Sequence, residues 1–413
     1  MLQECKMKFC LLGGSLGVVL LLCAAAGAAE EPAGASVEYL PLDAPPGVSQ
    51  AVVLQGAPLV YTRQLLPLNA EGKLVGEDSV EQQAAQVLDN LQAVLADAGS
   101  GLDKLVRVNI CALSHEAAER LREQLSQRTG AAVRPAITTV LTPLAHRQAL
   151  VAVDAIAVGA DVPSEAVGLR RCKAVAGDDH CADAAVMPAG GAAYLSGQPA
   201  QGGLAVSAVA RSLSSLSDTL KQLDLGPEHV VQLKVFLRPA SSAAAVLEEV
   251  KRFFPEQMVP PVVLVEWIAS MPVEIELVAA WPPGAQAAEA VRYYNPPGVS
   301  PSPVFSRVAL VRGGRQIFVA GLSAREPGDG PAQANDVFEQ IQTILKTAGS
   351  DLRHLAKATY YVMDDDASRG IDLARRELYD PQRPPAASKV TVHAVGGRQR
   401  TLAVDVIAVP SQP

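Results

Sequence analysis

One pattern, a helix followed by a glycine and then an apolar strand, occurs three times along this chain. The copies read VLDNLQAVLADAGSGLDKLVRVNICAL, SLSDTLKQLDLGPEHVVQLKVFL and VFEQIQTILKTAGSDLRHLAKATYYV. Their glycines, which we expect to end the helices, are Gly99, Gly226 and Gly349. A second apolar strand closes each copy, at 149–158, 273–281 and 402–409. Similarity at a nearly constant period indicates one supersecondary unit used three times, each unit about 115 residues long and therefore the size of a small domain.

The repeats divide the chain into seven segments. They are a signal peptide (1–29), a leader (30–45), repeat 1 (46–158), a linker (159–181), repeat 2 (182–282), a linker (283–299) and repeat 3 (300–410). Each repeat has the order strands, helix, strand, helix, strands, which predicts an α+β fold with helices on one face of a mostly antiparallel sheet. The near-equal spacing favours closure of the three units into an intramolecular pseudo-trimer. We therefore expect a monomer with internal pseudo-threefold symmetry.

Helix boundaries are marked by capping residues. Ser79 with Gln82 three residues later forms a capping-box pattern before a helix predicted at 80–98. Ser114 is the expected cap of a second helix, at 115–128. The acidic run Asp364–Asp366 precedes another helical pattern and lacks the ligand spacing of a calcium loop, so capping explains it better than cation binding.

The N-terminus has the features of an export signal. Lys6 and Lys8 precede an apolar run, and the small residues at 26–29 offer a cleavage site. An uncleaved membrane anchor is the alternative. No later segment is apolar for long enough to span a bilayer, so we expect an exported protein, periplasmic or secreted, without a membrane association in its mature form.

Charge and motifs exclude several function classes. The formal net charge is −8, with no Lys/Arg cluster to offset it, which disfavours nucleic acid as a partner because phosphate binding is largely electrostatic. The chain has no P-loop, no dinucleotide glycine fingerprint and no HExxH pair. We therefore predict no cofactor and no metal, and a small molecule as the ligand.

Three cysteines lie outside the signal, at Cys111, Cys172 and Cys181. Cys172 and Cys181 are close in sequence, and export permits a disulfide between them. Free thiols are the alternative, and a metal site with the neighbouring 178–180 segment (Asp-Asp-His) is a third. Cys111 lies in an apolar strand, where packing is the expected role.

Several short segments resemble one known family. They are YLSGQPA at 194–200, the AGS-x-L junctions, RPA at 134–136, RPP at 383–385 and VEIELVA at 273–279. The chain resembles the Rid family of reactive-intermediate deaminases, also called YjgF-like, in three degenerate tandem copies. The resemblance implies the chorismate-mutase-like fold, trimeric assembly with helices outside, and a ligand cleft at each subunit boundary. It also implies hydrolysis of enamines and imines derived from amino acids, without metal or cofactor.

The resemblance also implies roles for individual residues. In the family a Ser-Gly pair contacts the substrate, a glutamate on the last strand handles water, and an arginine clamps the carboxylate. Repeat 2 matches the first two elements with Ser196, Gly197 and Glu274. The corresponding positions are Thr62-Arg63 and Ala152 in repeat 1, and Ala320-Gly321 and Ala403 in repeat 3. The clamp positions are occupied by Ile137, Val262 and Ala387.

No repeat keeps the clamp arginine, so two interpretations stay open. In the first, the chain is a deaminase with one cleft at repeat 2, and a cation from elsewhere replaces the clamp; the candidates are Arg134, Arg383, Arg238 and Arg63. In the second, the clefts are degenerate and the chain is a non-catalytic small-carboxylate-binding or scaffolding protein. Ribonuclease activity is disfavoured by the net acidity. An exposed edge-strand position for Glu274 and Glu276 is also open.

Overall fold

The structure, a computed structural model, describes residues 35–160, 166–203, 206–282 and 289–411. The expected signal at 1–29 lies outside these residues. Within them, no helix combines the length and the apolar character that a membrane crossing requires. The fold is mixed α+β, as the sequence predicted, with six helices and three sheets among the described residues.

The helices and strands follow the repeats along the chain. The N-terminal part contains β1 Ser36–Leu40, β2 Ala51–Gln55, β3 Leu59–Thr62, α1 Val80–Asp97, β4 Leu105–Ala112, α2 His115–Thr129, β5 Ala136–Leu141 and β6 Val151–Val158. The middle part contains β7 Gly168–Arg170, β8 Ala184–Met187, β9 Gly191–Ala200, α3 Ala208–Lys221, β10 Val230–Leu237, α4 Ala243–Phe253, β11 Val262–Glu266 and β12 Val273–Trp281. The C-terminal part contains β13 Val291–Tyr294, β14 Val308–Val311, β15 Arg315–Leu322, α5 Gly330–Thr347, β16 Leu355–Val362, α6 Asp365–Leu378, β17 Ala386–Thr391, β18 Ala394–Val395 and β19 Leu402–Ala408.

Each sheet combines strands from more than one repeat. The strand orders are β18-β5-β4-β6-β3-β8-β7, β11-β10-β12-β9-β14-β13 and β17-β16-β19-β15-β2-β1. Four strands of each sheet come from one repeat and a pair comes from the chain segment next around the ring, while the short β18 of repeat 3 adds a seventh strand to the first sheet. For the third sheet that pair is β1 and β2, from the N-terminal end of the described chain. The exchange therefore runs around a closed ring, and it places the segment AVVLQ in the sheet of repeat 3 instead of that of repeat 1.

Glycines form the connectors between consecutive strands that belong to different sheets. Consecutive strands such as β14 and β15 join different sheets, so their connector must turn away sharply. Gly313 has φ +101, and a Cβ there would clash with the carbonyl of Gly190 in the equivalent connector of repeat 2. The Gly56 amide donates to the Gly314 carbonyl at 3.1 Å. Only glycine combines this left-handed conformation with so close a backbone approach.

The helix caps confirm most of the predicted boundaries. Ser79, Ser114 and Asp364 each accept a hydrogen bond from the backbone N–H three residues on. Gly99 and Gly349 have φ +75 and +77 just after the C-caps of α1 and α5.

The prediction that Gly226 ends the helix of repeat 2 is wrong. α3 ends at Lys221, and the left-handed residue after it is Asp224 at φ +57. Gly226 has φ −121 and precedes a short 3₁₀ turn. A short-chain polar residue such as aspartate tolerates the left-handed region, so it can serve where glycine was expected.

Polar links join each repeat to the preceding one at equivalent positions on β4, β10 and β16. Arg107 donates to Asp405 at 3.2 Å and to the Val319 carbonyl at 2.6 Å. Lys357 forms a buried ion pair with Glu276. The third link is neutral, with Gln232 donating to the Thr62 carbonyl at 2.7 Å. Buried charges need partners, so these links favour one cyclic arrangement of the repeats.

Candidate functional site

An open cleft of about 380 Å³ lies between repeats 2 and 3. Its walls come from the sheet that contains β12 and β9 and from β17 and α6 of repeat 3. The lining residues are Gly197, Gln198, Pro199, Glu274, Val304, Phe305, Arg307, Arg375, Ala387, Ser388 and Lys389. A volume of this size suits a small-molecule ligand.

Glu274 supplies the one carboxylate of this lining. It lies on β12, between β10 and β9, and its residue is 8% exposed, so the edge-strand alternative does not hold. Burial raises the pKa of Glu274 to about 7, and the neighbouring Glu276 carboxylate raises this pKa as well. A hydrogen bond with Ser388 and the positive charges of Lys357 and Arg307 lower the pKa of Glu274. A carboxyl group with this pKa can both accept and return a proton near neutral pH.

Gly197 makes room for that carboxylate. A β-bulge interrupts the β12–β9 ladder between the pairs Ile275–Gln198 and Leu277–Leu195, and Gly197 lies in this irregular stretch. A Cβ at Gly197 would overlap the Glu274 carboxylate. The glycine therefore determines where the acid lies.

Ser196 joins the two walls of the cleft. Its buried hydroxyl donates to the Ser306 carbonyl at 2.6 Å and accepts from the Ala387 amide at 2.7 Å. The adjacent Gly197 amide donates to the Ser388 hydroxyl at 3.2 Å, and that hydroxyl donates to Glu276. The Ser-Gly pair of repeat 2 thus contacts the clamp position of repeat 3, so the cleft is shared between repeats.

Three cationic side chains line the described part of the cleft, and none of them was among the candidate site residues predicted from the sequence. Arg307 directly precedes β14 and donates to the Gln198 side chain at 3.1 Å. Lys389 lies two residues after Ala387 on β17, and Arg375 lies on α6. Alternation along a strand puts residues 387 and 389 on one face. This two-residue spacing from the clamp position Ala387 could have identified Lys389, provided that β17 of repeat 3 was known to form a wall of the cleft.

The four arginines proposed as clamp replacements lie elsewhere. Arg134 and Arg238 donate to the carbonyls of Ala131 and Ala269, respectively, near their own strands. Arg63 forms a salt bridge with buried Asp183 at 2.6 Å. None of them is among the residues that line this cleft in the described part of the chain.

Arg383 lies beside a different cavity. Its guanidinium is 5.4 Å from the Tyr293 ring centroid, and its Nε donates to the Arg353 carbonyl at 3.2 Å. This cavity of about 290 Å³ is also lined by His354 and Ser411. The arginine precedes β17 by three residues, and its side chain extends toward β13, so it does not reach the position next to Ala387.

The boundary between repeats 1 and 2 is filled by a glutamine. The backbone amide of Arg63 donates to the Asp183 carbonyl, and the amide of Ser196 makes the equivalent bond to the Arg307 carbonyl. The pair Arg63-Gln64 is therefore the structural counterpart of Ser196-Gly197. The sequence alignment with Thr62-Arg63 was one residue out of register. Gln64 is buried and donates to the Leu264 carbonyl of repeat 2 at 2.8 Å.

The boundary between repeats 3 and 1 is also filled. Gly321 and Ala403 take the places of Gly197 and Glu274, but Thr138 of repeat 1 packs against this glycine. A Cβ on Gly321 would lie 2.8 Å from Thr138 Cγ2. Thr138 donates to Asp405 at 3.2 Å, which holds it there. The carboxylate of the candidate site is therefore specific to the boundary between repeats 2 and 3.

The cysteines are free thiols in the structure, so the disulfide candidate Cys172–Cys181 is not formed. The two side chains pack into different cores. Cys172 belongs to the core beneath α1 and α2, while Cys181 packs against the core beneath α3 and α4. The acidic residues between them bind lysines, Asp178 with Lys251 and Asp179 with Lys173. The described residues include no cluster of three or more His, Cys, Asp or Glu side chains suited to a metal ion.

Known proteins resemble this chain over individual repeats. The family model described as Endoribonuclease L-PSP matches residues 43–159 and 299–410. Protein DfrA from Myxococcus xanthus is 30% identical over 113 residues, which are 25% of this chain and 84% of that protein.

Solved structures give similar matches. A Rid family protein of unknown function from Yersinia pestis is 28% identical over 27% of this chain and 86% of its own, with a TM-score of 0.24. A YjgF family member from Neisseria meningitidis is 22% identical over 30% of this chain and 97% of its own, with a TM-score of 0.23.

Proposed function

The chain belongs to the Endoribonuclease L-PSP family, which includes the YjgF/Rid proteins, and we propose that it hydrolyses imines or enamines derived from amino acids at the cleft between repeats 2 and 3. The observation that carries this proposal is Glu274. It is a buried carboxyl group with a pKa raised to about 7, and it lines an open cleft next to three cations.

The proposed reaction uses each of these groups. The cations bind the substrate carboxylate, for which guanidinium and ammonium groups are suited. The ionised Glu274 accepts a proton from water as the water oxygen attacks the C=N carbon. It then returns the proton to the nitrogen, which gives a carbinolamine. The carboxylate next takes the hydroxyl proton and passes it to the nitrogen, so that the C–N bond breaks as the C=O bond forms, and ammonia and a 2-oxo acid leave. Because the carboxyl group is buried, its charge interacts strongly with a bound substrate.

Ammonia release tests the proposal. We expect the purified protein to accelerate ammonia release from freshly generated 2-iminopropanoate, and Glu274→Gln to lower the accelerated rate at least about 100-fold, the usual size of a general acid–base contribution. The control is Glu377→Gln, at an exposed position on α6. Release that is no faster than in buffer would exclude this activity. Ligand-induced stabilisation without release would support the non-catalytic binding alternative instead.

The family takes its name from an endoribonuclease activity, which the charge and the cleft of this chain do not favour. The chain carries a net charge of −8, and RNA binding depends on neutralising many phosphates. The lining of the candidate cleft, as far as the structure describes it, contains no histidine.

We also propose that the chain acts as an exported monomer. The support for a monomer is the closed exchange of strands, which gives every sheet its final pair from within the chain. The support for export is the N-terminal sequence alone. Light scattering should give the mass of one chain, and intact-mass analysis of the fractionated protein should show loss of about the first 29 residues. The mass of a trimer would contradict the proposed monomer, and an uncleaved chain in the cytoplasm would contradict export.

A further inference from the structure

The candidate cleft has cations on two of its walls. Arg307 lies in the sheet of repeat 2, whereas Lys389 and Arg375 belong to repeat 3. Asp372 forms ion pairs with Lys389, at 2.7 Å, and with Arg375. Asp372 and an ionised Glu274 offset two of the three cations, so the placement of the cations on two walls, and not their total charge, bears on the ligand.

Two donors in this lining have no acceptor. The Nε–H groups of Arg307 and Arg375 are buried and make no hydrogen bond with the described residues. The Arg375 residue is only 6% exposed. A buried donor without a partner costs about 1–3 kcal/mol. An anionic ligand in the cleft would supply the missing acceptors.

The cations are held at two separate positions. Arg307 is fixed by its bond to Gln198 and stacks over Phe305, with 5.6 Å between Cζ and the ring centroid. Lys389 is fixed by Asp372 and by the Ser368 hydroxyl, at 2.8 Å. The hydrogen-bond partner of Arg307 belongs to repeat 2 and those of Lys389 to repeat 3, so the two cations are held by different walls of the cleft.

We propose that the substrate of this cleft is an imino dicarboxylic acid, with one carboxylate at Arg307 and the other at Lys389 and Arg375. This inference rests on the proposed hydrolysis and specifies its substrate class. Two carboxylates match the two cationic positions and would supply acceptors to the unpaired Nε–H groups of Arg307 and Arg375. The cavity of about 380 Å³ is also larger than a three-carbon imino acid would fill.

The reaction involves no change of oxidation state. Water adds to the C=N bond of the imino dicarboxylate, a C–O bond forms, and one water proton passes to Glu274. This proton returns to the nitrogen to give a carbinolamine. Glu274 then carries the hydroxyl proton to the nitrogen, the C–N bond breaks as the C=O bond forms, and the products are ammonia and an oxo dicarboxylate. No further reactant is needed.

The test compares two imines with the same protein. 2-Iminosuccinate is generated from D-aspartate and 2-iminopropanoate from D-alanine by the matching flavin oxidases, and ammonia release above the spontaneous rate is followed. We expect kcat/KM to be at least about tenfold higher for 2-iminosuccinate, because one additional charge-assisted hydrogen bond contributes about that much.

Single substitutions locate the second carboxylate. We expect Lys389→Ala to remove most of the preference for 2-iminosuccinate, and to affect 2-iminopropanoate less. The control is Arg376→Ala, which removes a cation from an exposed position next to Arg375 on α6. The preference should be unchanged in this control. Thermal stabilisation by oxaloacetate compared with pyruvate gives a second readout that does not require turnover.

The outcomes separate the two proposals. Equal turnover of both imines, or faster turnover of 2-iminopropanoate, would overturn the dicarboxylate inference and leave the hydrolytic function intact. Absence of turnover with both imines would overturn the hydrolytic function and the substrate inference with it. A preference that survives Lys389→Ala unchanged would also contradict the assigned position.

Discussion

Gly197 and Glu274 share one space in the cleft between repeats 2 and 3, because a side chain at the first position would overlap the carboxylate of the second. In the equivalent positions of repeat 1 the sizes are reversed, with Gln64 opposite Ala152. Repeat 3 has small residues at both, and Thr138 fills the space. The candidate site therefore depends on a pair of residues that only repeat 2 combines.

Adding a methyl group at Gly197 should disturb the site more than the fold. We expect Gly197→Ala to displace the Glu274 carboxylate and to lower imine hydrolysis about 100-fold, the usual contribution of a positioned acid–base group. The matched control is Gly202→Ala, where an added Cβ would be 3.6 Å from its nearest neighbour. Activity measured beside circular dichroism distinguishes the two effects, and normal turnover in Gly197→Ala would contradict the assignment.

Glu274 should also make stability depend on pH. Its folded pKa of about 7 exceeds the reference value of 4.5, so between these values the folded state binds more protons than the unfolded state. The free energy of unfolding should therefore fall as pH rises from about 4.5 to about 7, by at most about 3 kcal/mol from this group. Glu274→Gln cannot titrate and should lack this part of the decrease.

Denaturant titrations of both proteins at pH 5 and pH 8 measure the difference. The comparison isolates Glu274, because Asp154, whose pKa burial raises to about 6, titrates in both proteins. We expect Glu274→Gln to gain stability relative to the unsubstituted chain at pH 8. An identical pH dependence in the two proteins would count against a raised pKa.

The filled boundary between repeats 1 and 2 should be structural. We expect Gln64→Ala to remove the hydrogen bond to the Leu264 carbonyl and to lower the free energy of unfolding by about 1–3 kcal/mol. Imine hydrolysis at the other cleft should be unchanged. Loss of turnover without loss of stability would show that this boundary participates in function.

The buried pair Lys357–Glu276 should hold repeat 3 against repeat 2. Lys357→Met leaves the Glu276 carboxylate buried without its paired cation, and we expect a loss of about 3–5 kcal/mol in unfolding free energy. The double variant Lys357→Met with Glu276→Leu removes both charges and should recover a large part of this loss. If the double variant were as unstable as the sum of both single variants, the two residues would not be coupled.

The sequence predicted the local features of the fold well. Ser79, Ser114 and Asp364 cap helices because capping depends on residues only three apart. The strand exchange was not predictable in the same way. A segment such as AVVLQ has the same apolar pattern whether it joins the sheet of its own repeat or that of another, so only the tertiary structure places it.

Parts of the site were missed for related reasons. Neither Arg63 nor Gln64 resembles the serine or the glycine that it replaces, so residue type could not fix the alignment of this pair. Arg307, Arg375 and Lys389 lie 30 or more residues beyond Glu274 and reach the cleft through repeat 3. The candidate clamps included the arginines of the RPA and RPP motifs, but Arg134 donates to the Ala131 carbonyl and Arg383 to the Arg353 carbonyl.

The most direct test of the central claim is the pH profile of kcat/KM for imine hydrolysis, measured for the unsubstituted chain and for Glu274→Gln. Because kcat/KM reports groups of the free protein, we expect the value to rise with an apparent pKa near 7 as Glu274 ionises. The variant should show a low value without this step. A step that persists in Glu274→Gln, or a variant as active as the unsubstituted chain, would contradict the assignment of Glu274 as the base.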